Sequence, residues 1–250
     1  MNKNNQQLEG FFYDQRHAFT LYSAKAILGL IDKNFASVKS IVDLGCGVGT
    51  WLFCATENGA SKCVGVEGPW LNEVTDLPIP RDWIQIQDLE HKWTLDEGFD
   101  LAISLEVAEH LSPTAGKRLV LNLTKASKLV LFSAAIPDQG GHGHINEQWP
   151  EYWQAIFAEQ GYRALDCIRP VIQSDIKIPF WYRQNILIFA HEQVAAAYYT
   201  RLSQQSAVSD PSVIRFVEQR ISGVTKPSTG SDSINPWSKL RKIYRRIKAS

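Results

Sequence analysis

The stretch Ile41-Val42-Asp43-Leu44-Gly45-Cys46-Gly47-Val48-Gly49-Thr50-Trp51 reads as a buried strand, a tight glycine turn and the start of a helix. The apolar pair at 41 and 42 runs into glycines at alternate positions, where the backbone can take φ > 0 or approach a ligand closely. N–H groups at a helix start lack partners within the helix, so such a turn can hold a small polar molecule. The spacing narrows the choice of ligand. A dinucleotide turn needs glycine at position 50, which is threonine, and a P-loop needs a Gly-Lys-Ser/Thr ending, which this turn lacks. Asp43 places a carboxylate just before the turn, where it would repel a pyrophosphate and suit a ligand carrying an ammonium group.

Outward from this turn, strand and helix patterns alternate. Residues 39–44 form the first strand, and residues 50–58 a helix stopped by Gly59. Residues 62–67 form a second strand ending in Glu67, about twenty residues beyond the turn, where a βαβ unit places a ribose-binding carboxylate. Two adjacent ribose hydroxyls can each donate to one oxygen of such an acid. Residues 68–80 form a loop, and 83–87 a third strand followed by Asp88 and Leu89. The fourth strand, 99–104, runs into Leu105-Glu106-Val107-Ala108-Glu109-His110, and Pro113 begins a helix to about 126. The apolar run 129–135 is a buried fifth strand. A loop with His142 and His144 among Gly140, Gly141 and Gly143 follows, and Asn146 reads as the N-cap of a helix to about 160. Residues 163–169 and 184–191 are the last two strands, separated by an insert at 170–183. This order predicts an α/β fold: a doubly wound, mostly parallel, seven-stranded sheet with helices on both faces. Ligands bind outside the carboxyl ends of such strands, and Asp43, Glu67, Asp88, Glu106 and His144 all fall there.

Composition sets the limits. The chain has 250 residues, 44% of them hydrophobic, enough for one substantial core. Its formal net charge of zero gives no global reason to expect nucleic acid. Cys46, Cys54, Cys63 and Cys167 form no CxxC pair, which excludes a zinc ribbon or redox motif and fits a reducing, cytoplasmic setting. The polar N-terminus has no signal-peptide pattern, and no apolar run reaches the length of a membrane span.

The hydrophobic-Asp-Leu-Gly-Cys-Gly-x-Gly run resembles the first motif of class I S-adenosylmethionine-dependent methyltransferases, and the resemblance covers residues 11–191. It implies a Rossmann-like fold with S-adenosylmethionine as cofactor. It places Asp43, Gly45, Gly47 and Gly49 around the methionine part, Glu67 on the ribose, and Asp88, Leu89 and Leu105 around the adenine end. For Asp88 a plain turn-forming role is the competing reading. Phe11, Phe12 and Tyr13, at the start of a helix over 11–31, would line a lid over the cofactor.

Methyl transfer to oxygen or nitrogen needs alignment and often a base. His110, His142 and His144 are the candidates, with His144 favoured by its place after a strand end. Glu106, Glu109 and His110 also resemble the Glu-x-x-Glu-His cluster of small-RNA 2′-O-methyltransferases and ubiquinone-pathway O-methyltransferases. There the cluster holds a divalent ion, with a further histidine in the RNA enzymes, to which His142 or His144 would correspond. That set suits Mn²⁺ better than Mg²⁺. The same Glu-x-x-Glu-His-Leu run also closes the cofactor pocket of many methyltransferases that use no metal.

Residues 1–10 are expected to be disordered. After 191, residues 192–222 hold two helices (193–205 and 211–221), 223–236 form a linker, and 237–250 a basic amphipathic tail. Leu240, Ile243, Tyr244 and Ile247 share one face of that tail, beside six Lys/Arg and no acid. Positions 1–236 then carry 20 basic against 26 acidic residues. The tail suits an anionic surface, such as the inner face of a membrane, or a partner groove. The expected activity is O-methylation of a small metabolite, or of a sugar hydroxyl on a glycan or lipid-linked precursor, with His144 as base. The alternatives are metal-assisted RNA 2′-O-methylation, disfavoured by the acidic domain, and a cofactor-binding module without catalysis.

Overall fold

A computed structural model describes residues 3–35 and 37–204. Seven strands form one sheet: β1 (Ser40–Leu44), β2 (Lys62–Glu67), β3 (Ile84–Ile86), β4 (Leu101–Leu105), β5 (Leu129–Ser133), β6 (Tyr162–Leu165) and β7 (Leu187–His191). Their order is β3-β2-β1-β4-β5-β7-β6. All pairings are parallel except those of β7, which runs antiparallel to β5 and β6. The central strands β1, β4 and β5 are buried along nearly their whole length, which is why they read as unbroken apolar runs.

Side chains alternate across this sheet. Ile41, Ile103, Leu131 and Ile188 face one layer, made by α1 (Lys3–Asn34) and α2 (Thr50–Glu57) through Ala24, Ile27, Ile31 and Leu52. Val42, Ala102, Phe132 and Phe189 face the other, made by α3 (Pro113–Ala126) and α4 (Pro150–Ala158) through Leu119, Leu123, Trp153 and Phe157. Phe157 stacks on Phe189 with ring centroids 3.9 Å apart. The expected doubly wound architecture is present. The strand order reverses between β1 and β4, so the ligand crevice lies between the turns that follow those two strands.

Three local expectations are corrected. Helix α1 begins at Lys3, so residues 3–10 are helical where disorder was expected. Helix α4 begins at Pro150, whose ring presets a helical φ at the first position, and not after Asn146. Asn146 instead spends its amide on the carbonyl of Ala108, 3.2 Å away. The insert before β7 is ordered as α5 (Arg169–Ile172) and α6 (Phe180–Asn185). Beyond β7, α7 spans Glu192–Gln204. The expected second C-terminal helix, the linker and the basic tail lie outside the described residues, as do the side chains of Phe11, Phe12 and Tyr13. Among the described residues no helix is long and apolar enough to cross a membrane, and the four cysteines are free thiols.

Candidate active site

The glycine turn after β1 is left-handed three times: Gly45 at φ 83°, Gly47 at 58° and Gly49 at 89°. Two of the three are closed in by protein. A Cβ on Gly45 would sit 2.4 Å from Val107, and one on Gly49 would sit 2.4 Å from Ile79. A Cβ on Gly47 would meet nothing within 4 Å, so at this point the backbone borders open space. Gly65 on β2 lets the turn lie flat on the sheet, since a Cβ there would be 2.7 Å from the Cys46 sulfur.

Two acids flank the turn. Glu67, at the end of β2, accepts from the backbone N–H of Gly47 at 2.7 Å through one oxygen. Its other oxygen accepts from Gly68 N at 2.7 Å and from Trp70 Nε1 at 3.0 Å. Asp43 is only 2% exposed, and its burial, with the nearby Glu67 charge adding to it, holds its carboxyl well above the ordinary range. An ammonium group brought beside Asp43 would relieve both effects. Asp88 is exposed, accepts from Glu90 N at 2.9 Å and pairs with His91 at 3.0 Å, which is the turn-forming role. Leu89 packs against the core, and Leu105 is buried at the end of β4.

The turn after β4 carries the second half of the site. Glu109 and His110 lie in a single 3-10 turn, Ala108–His110, which turns the Glu109 side chain inward. Glu109 is fully buried, and its carboxyl meets its own and the Ala135 backbone N–H groups and the Glu106 carboxyl without a well-formed hydrogen bond to either oxygen. Burial, and next the charge of Glu106, push its carboxyl well above the ordinary range. The loop after β5 folds back onto this turn: the N–H groups of Ile145 and Asn146 both donate to the Glu109 carbonyl, at 2.9 and 3.0 Å. That brings His144 against His110, with ring centroids 4.8 Å apart and planes at 82°. One ligand atom from each of Glu109, His110 and His144 lies within 4.8 Å of the others.

Glu147 organises the loop. It accepts from Asp138 N at 3.0 Å, from Gly140 N at 3.2 Å and from His144 Nδ1 at 2.8 Å. A carboxylate can only accept, so Nδ1 carries the proton and Nε2 presents a lone pair. The glycine-rich loop is therefore stitched to its surroundings by backbone and side-chain hydrogen bonds.

The expected cluster is thus brought together in three of its four members. Glu106 stays outside that group: its oxygens accept from Gln139 Nε2 at 3.1 Å and Asn185 Nδ2 at 3.3 Å, and a loose hydrogen bond links its carboxyl to that of Glu109. Burial still raises its carboxyl, a bond to the Ser133 side chain, then the two amides and His144, working against that rise. His142 is exposed and is not part of the Glu109–His110–His144 group. Sequence reasoning missed Glu147, whose signal was the His-x-x-Glu spacing, and Gln139 and Asn185, which only the tertiary fold brings to Glu106.

The profile of a methyltransferase domain family matches residues 15–163. The fold is similar to that of magnesium protoporphyrin IX methyltransferase from Synechocystis PCC 6803 with bound S-adenosylhomocysteine. Identity is 14%, with 74% of this chain and 95% of that one covered, and the TM-score is 0.51. It is also similar to the methyltransferase domain of a bacterial Hen1, at 18% identity, 69% and 98% coverage and a TM-score of 0.51. Human N-acetylserotonin methyltransferase matches at 15% identity, 72% and 55% coverage and a TM-score of 0.50. At these identities the likeness is one of fold. No curated protein sequence matches the chain.

Proposed function

Because the chain belongs to the methyltransferase domain family of class I S-adenosylmethionine-dependent enzymes, we propose that it transfers the methyl group to a hydroxyl oxygen, of a small metabolite or a sugar, beside Glu109, His110 and His144. The observation that carries this reading is Glu109: a buried carboxyl with no well-formed hydrogen bond on either oxygen, beside two imidazoles. A structural acid buried at such cost is ordinarily paired. The lack of a well-formed bond or an ion pair at Glu109, together with the two histidines, supports a chemical role.

S-adenosylmethionine, when bound, supplies an electrophilic methyl group on a sulfonium and leaves as a thioether. Gly47 and Asp43 would hold its methionine part and Glu67 its ribose, with Leu89 and Leu105 lining the rest of the pocket. His144 keeps its Nδ1 proton on Glu147 and offers Nε2 to the acceptor proton, which frees an oxygen lone pair for attack. Glu109, His110 and His144 together offer one oxygen and two nitrogens, a donor set for Mn²⁺ rather than Mg²⁺. Held by these three residues, a divalent ion would supply Lewis-acid chemistry, lowering the pKa of the hydroxyl and orienting it. His144 is then a ligand, and without an ion it is the base.

RNA 2′-O-methylation shares the Glu/His set. It is the weaker reading, because positions 1–236 carry 20 basic against 26 acidic residues and backbone phosphates need cations.

Calorimetric titration tests the proposal after chelator treatment, with S-adenosylhomocysteine and with Mn²⁺ separately. The expected result is cofactor binding lost in Asp43→Ala, and one Mn²⁺ site lost in Glu109→Gln and His144→Ala while cofactor binding stays. A folded protein that binds cofactor but no Mn²⁺ leaves His144 as base. Failure to methylate any hydroxyl acceptor from labelled S-adenosylmethionine sinks O-methylation altogether.

A further inference from the structure

The loop after β5 holds Gly140, Gly141 and Gly143 around its two histidines, and they are not glycine for the same reason. Gly140 at φ 71° and Gly143 at 73° are left-handed, so their backbone favours a residue without a Cβ. A Cβ on Gly143 would come no nearer than 3.7 Å to His110 Nδ1, an ordinary contact. Gly141 is the reverse case. Its φ lies outside the left-handed region, so φ does not call for glycine there. One neighbour does: a Cβ on Gly141 would sit 2.2 Å from both Cε1 and Nε2 of His144 and 2.8 Å from its Cδ2.

Those three distances fix how the ring lies. An atom in the imidazole plane, outside the Cε1–Nε2 edge, would be far from Cδ2, whereas one close to all three atoms lies over the face. The bare Cα of Gly141 is therefore pressed against the flat side of the ring, an approach that a side chain would forbid. The in-plane directions belong to other partners. Nδ1 donates to Glu147 Oε1 at 2.8 Å, and the same oxygen accepts from Gly140 N at 3.2 Å, so one carboxylate holds both the ring and the chain it rests on. His110 stands beside the ring with its plane at 82°.

A hydrogen bond to Nδ1 alone fixes one point of an imidazole and leaves the ring able to tilt about that bond. A backbone surface against its face removes the tilt. We propose that Gly141 is a positioning residue for His144, its bare Cα the seat that fixes the plane of the imidazole and with it the direction of the Nε2 lone pair. Neither a base nor a metal ligand works without that direction, because proton transfer and coordination both run along the lone pair. The inference rests on the reading of His144 as base or ligand of the transfer site, and adds to it the residue that aims the ring.

The test uses the full chain saturated with S-adenosylhomocysteine: wild type, Gly141→Ala, and Gly98→Ala as a control, since a Cβ on Gly98 meets nothing within 4 Å. Nitrogen-15 NMR of the histidine rings at about pH 8, where imidazole is neutral, reports which nitrogen carries the proton. The His144 signals are those lost in His144→Ala. Wild type and Gly98→Ala are expected to show the His144 proton on Nδ1. Gly141→Ala should tilt the ring off Glu147, so that the proton is shared between the two nitrogens, and should weaken Mn²⁺ binding about tenfold or more. Affinity for S-adenosylhomocysteine should stay within about twofold in every variant, which shows that they are folded. A proton kept on Nδ1 in Gly141→Ala overturns the proposal. So does a Gly141→Ala protein that loses S-adenosylhomocysteine, because Gly141 would then serve the folding of the loop and not the ring. The ring signals decide whether or not wild type binds Mn²⁺, so this inference and the reading of the transfer site fail separately.

Discussion

Glu109 shows how one residue can trade stability for chemistry. Its folded pKa is raised, chiefly by burial, so its protonated form is the one the fold prefers. For such an acid the stabilising contribution is complete below the unfolded pKa and is lost as pH rises through the folded value. Without a bound cation, the wild type should therefore lose stability from the ordinary carboxylate range upward. Glu109→Gln removes the titration and should be about 1–3 kcal/mol more stable than wild type at neutral pH, with a flatter profile and no methyl transfer. Urea denaturation of both proteins between about pH 4 and 9 checks this. A variant less stable than wild type at every pH would mean that the carboxylate has a partner in solution. The spacing of Glu106, Glu109 and His110 was legible in the sequence, because it is local. The departure of Glu106 from that group was not, since it depends on a left-handed residue and on two amides from distant segments.

Among the elements, the turn after β1 separates glycines kept for packing from one kept for a ligand. Gly45→Ala and Gly49→Ala each add a strained φ and a clash with Val107 or Ile79, and should cost about 2–4 kcal/mol of stability. Gly47→Ala adds only the strain, about 1–2 kcal/mol, yet places a methyl group where the backbone borders open space. Its main effect should be on cofactor affinity. Denaturation and titration with S-adenosylhomocysteine on all three variants should divide them in this way, and equal loss of affinity per unit of lost stability would refute the division. The strand and glycine pattern was readable because buried parallel strands are continuous apolar runs. The loop after β5 was not. Glycines and polar residues read as slack chain, whereas here they fit a loop pinned to the Glu109 carbonyl and to Glu147.

For the whole molecule, periodicity could count strands but not order them: β5 and β7 look alike in sequence, and only tertiary pairing shows that β7 is reversed. Charge is likewise a property of the complete chain. The zero net charge conceals an acidic 1–236 and a basic 237–248. If that segment meets an anionic surface, the full chain should co-sediment with vesicles rich in phosphatidylglycerol and not with neutral ones. The binding should fade by about 0.5 M salt, where screening is short-ranged. A chain ending at residue 236 should not bind the vesicles, and should keep its affinity for S-adenosylhomocysteine. Equal binding by both chains would remove the tail from the interaction.

The reversal of β7 also has a practical side. Leu187 pairs with Phe132 near the carboxyl edge of the sheet, whereas Ala190 pairs with Leu129 at the opposite edge, and His191 N bonds Lys128 O there. The strand thus delivers α6 to the crevice and starts α7 from the far rim. A carrier inserted in the first turn of α7 therefore takes its first step away from the catalytic mouth.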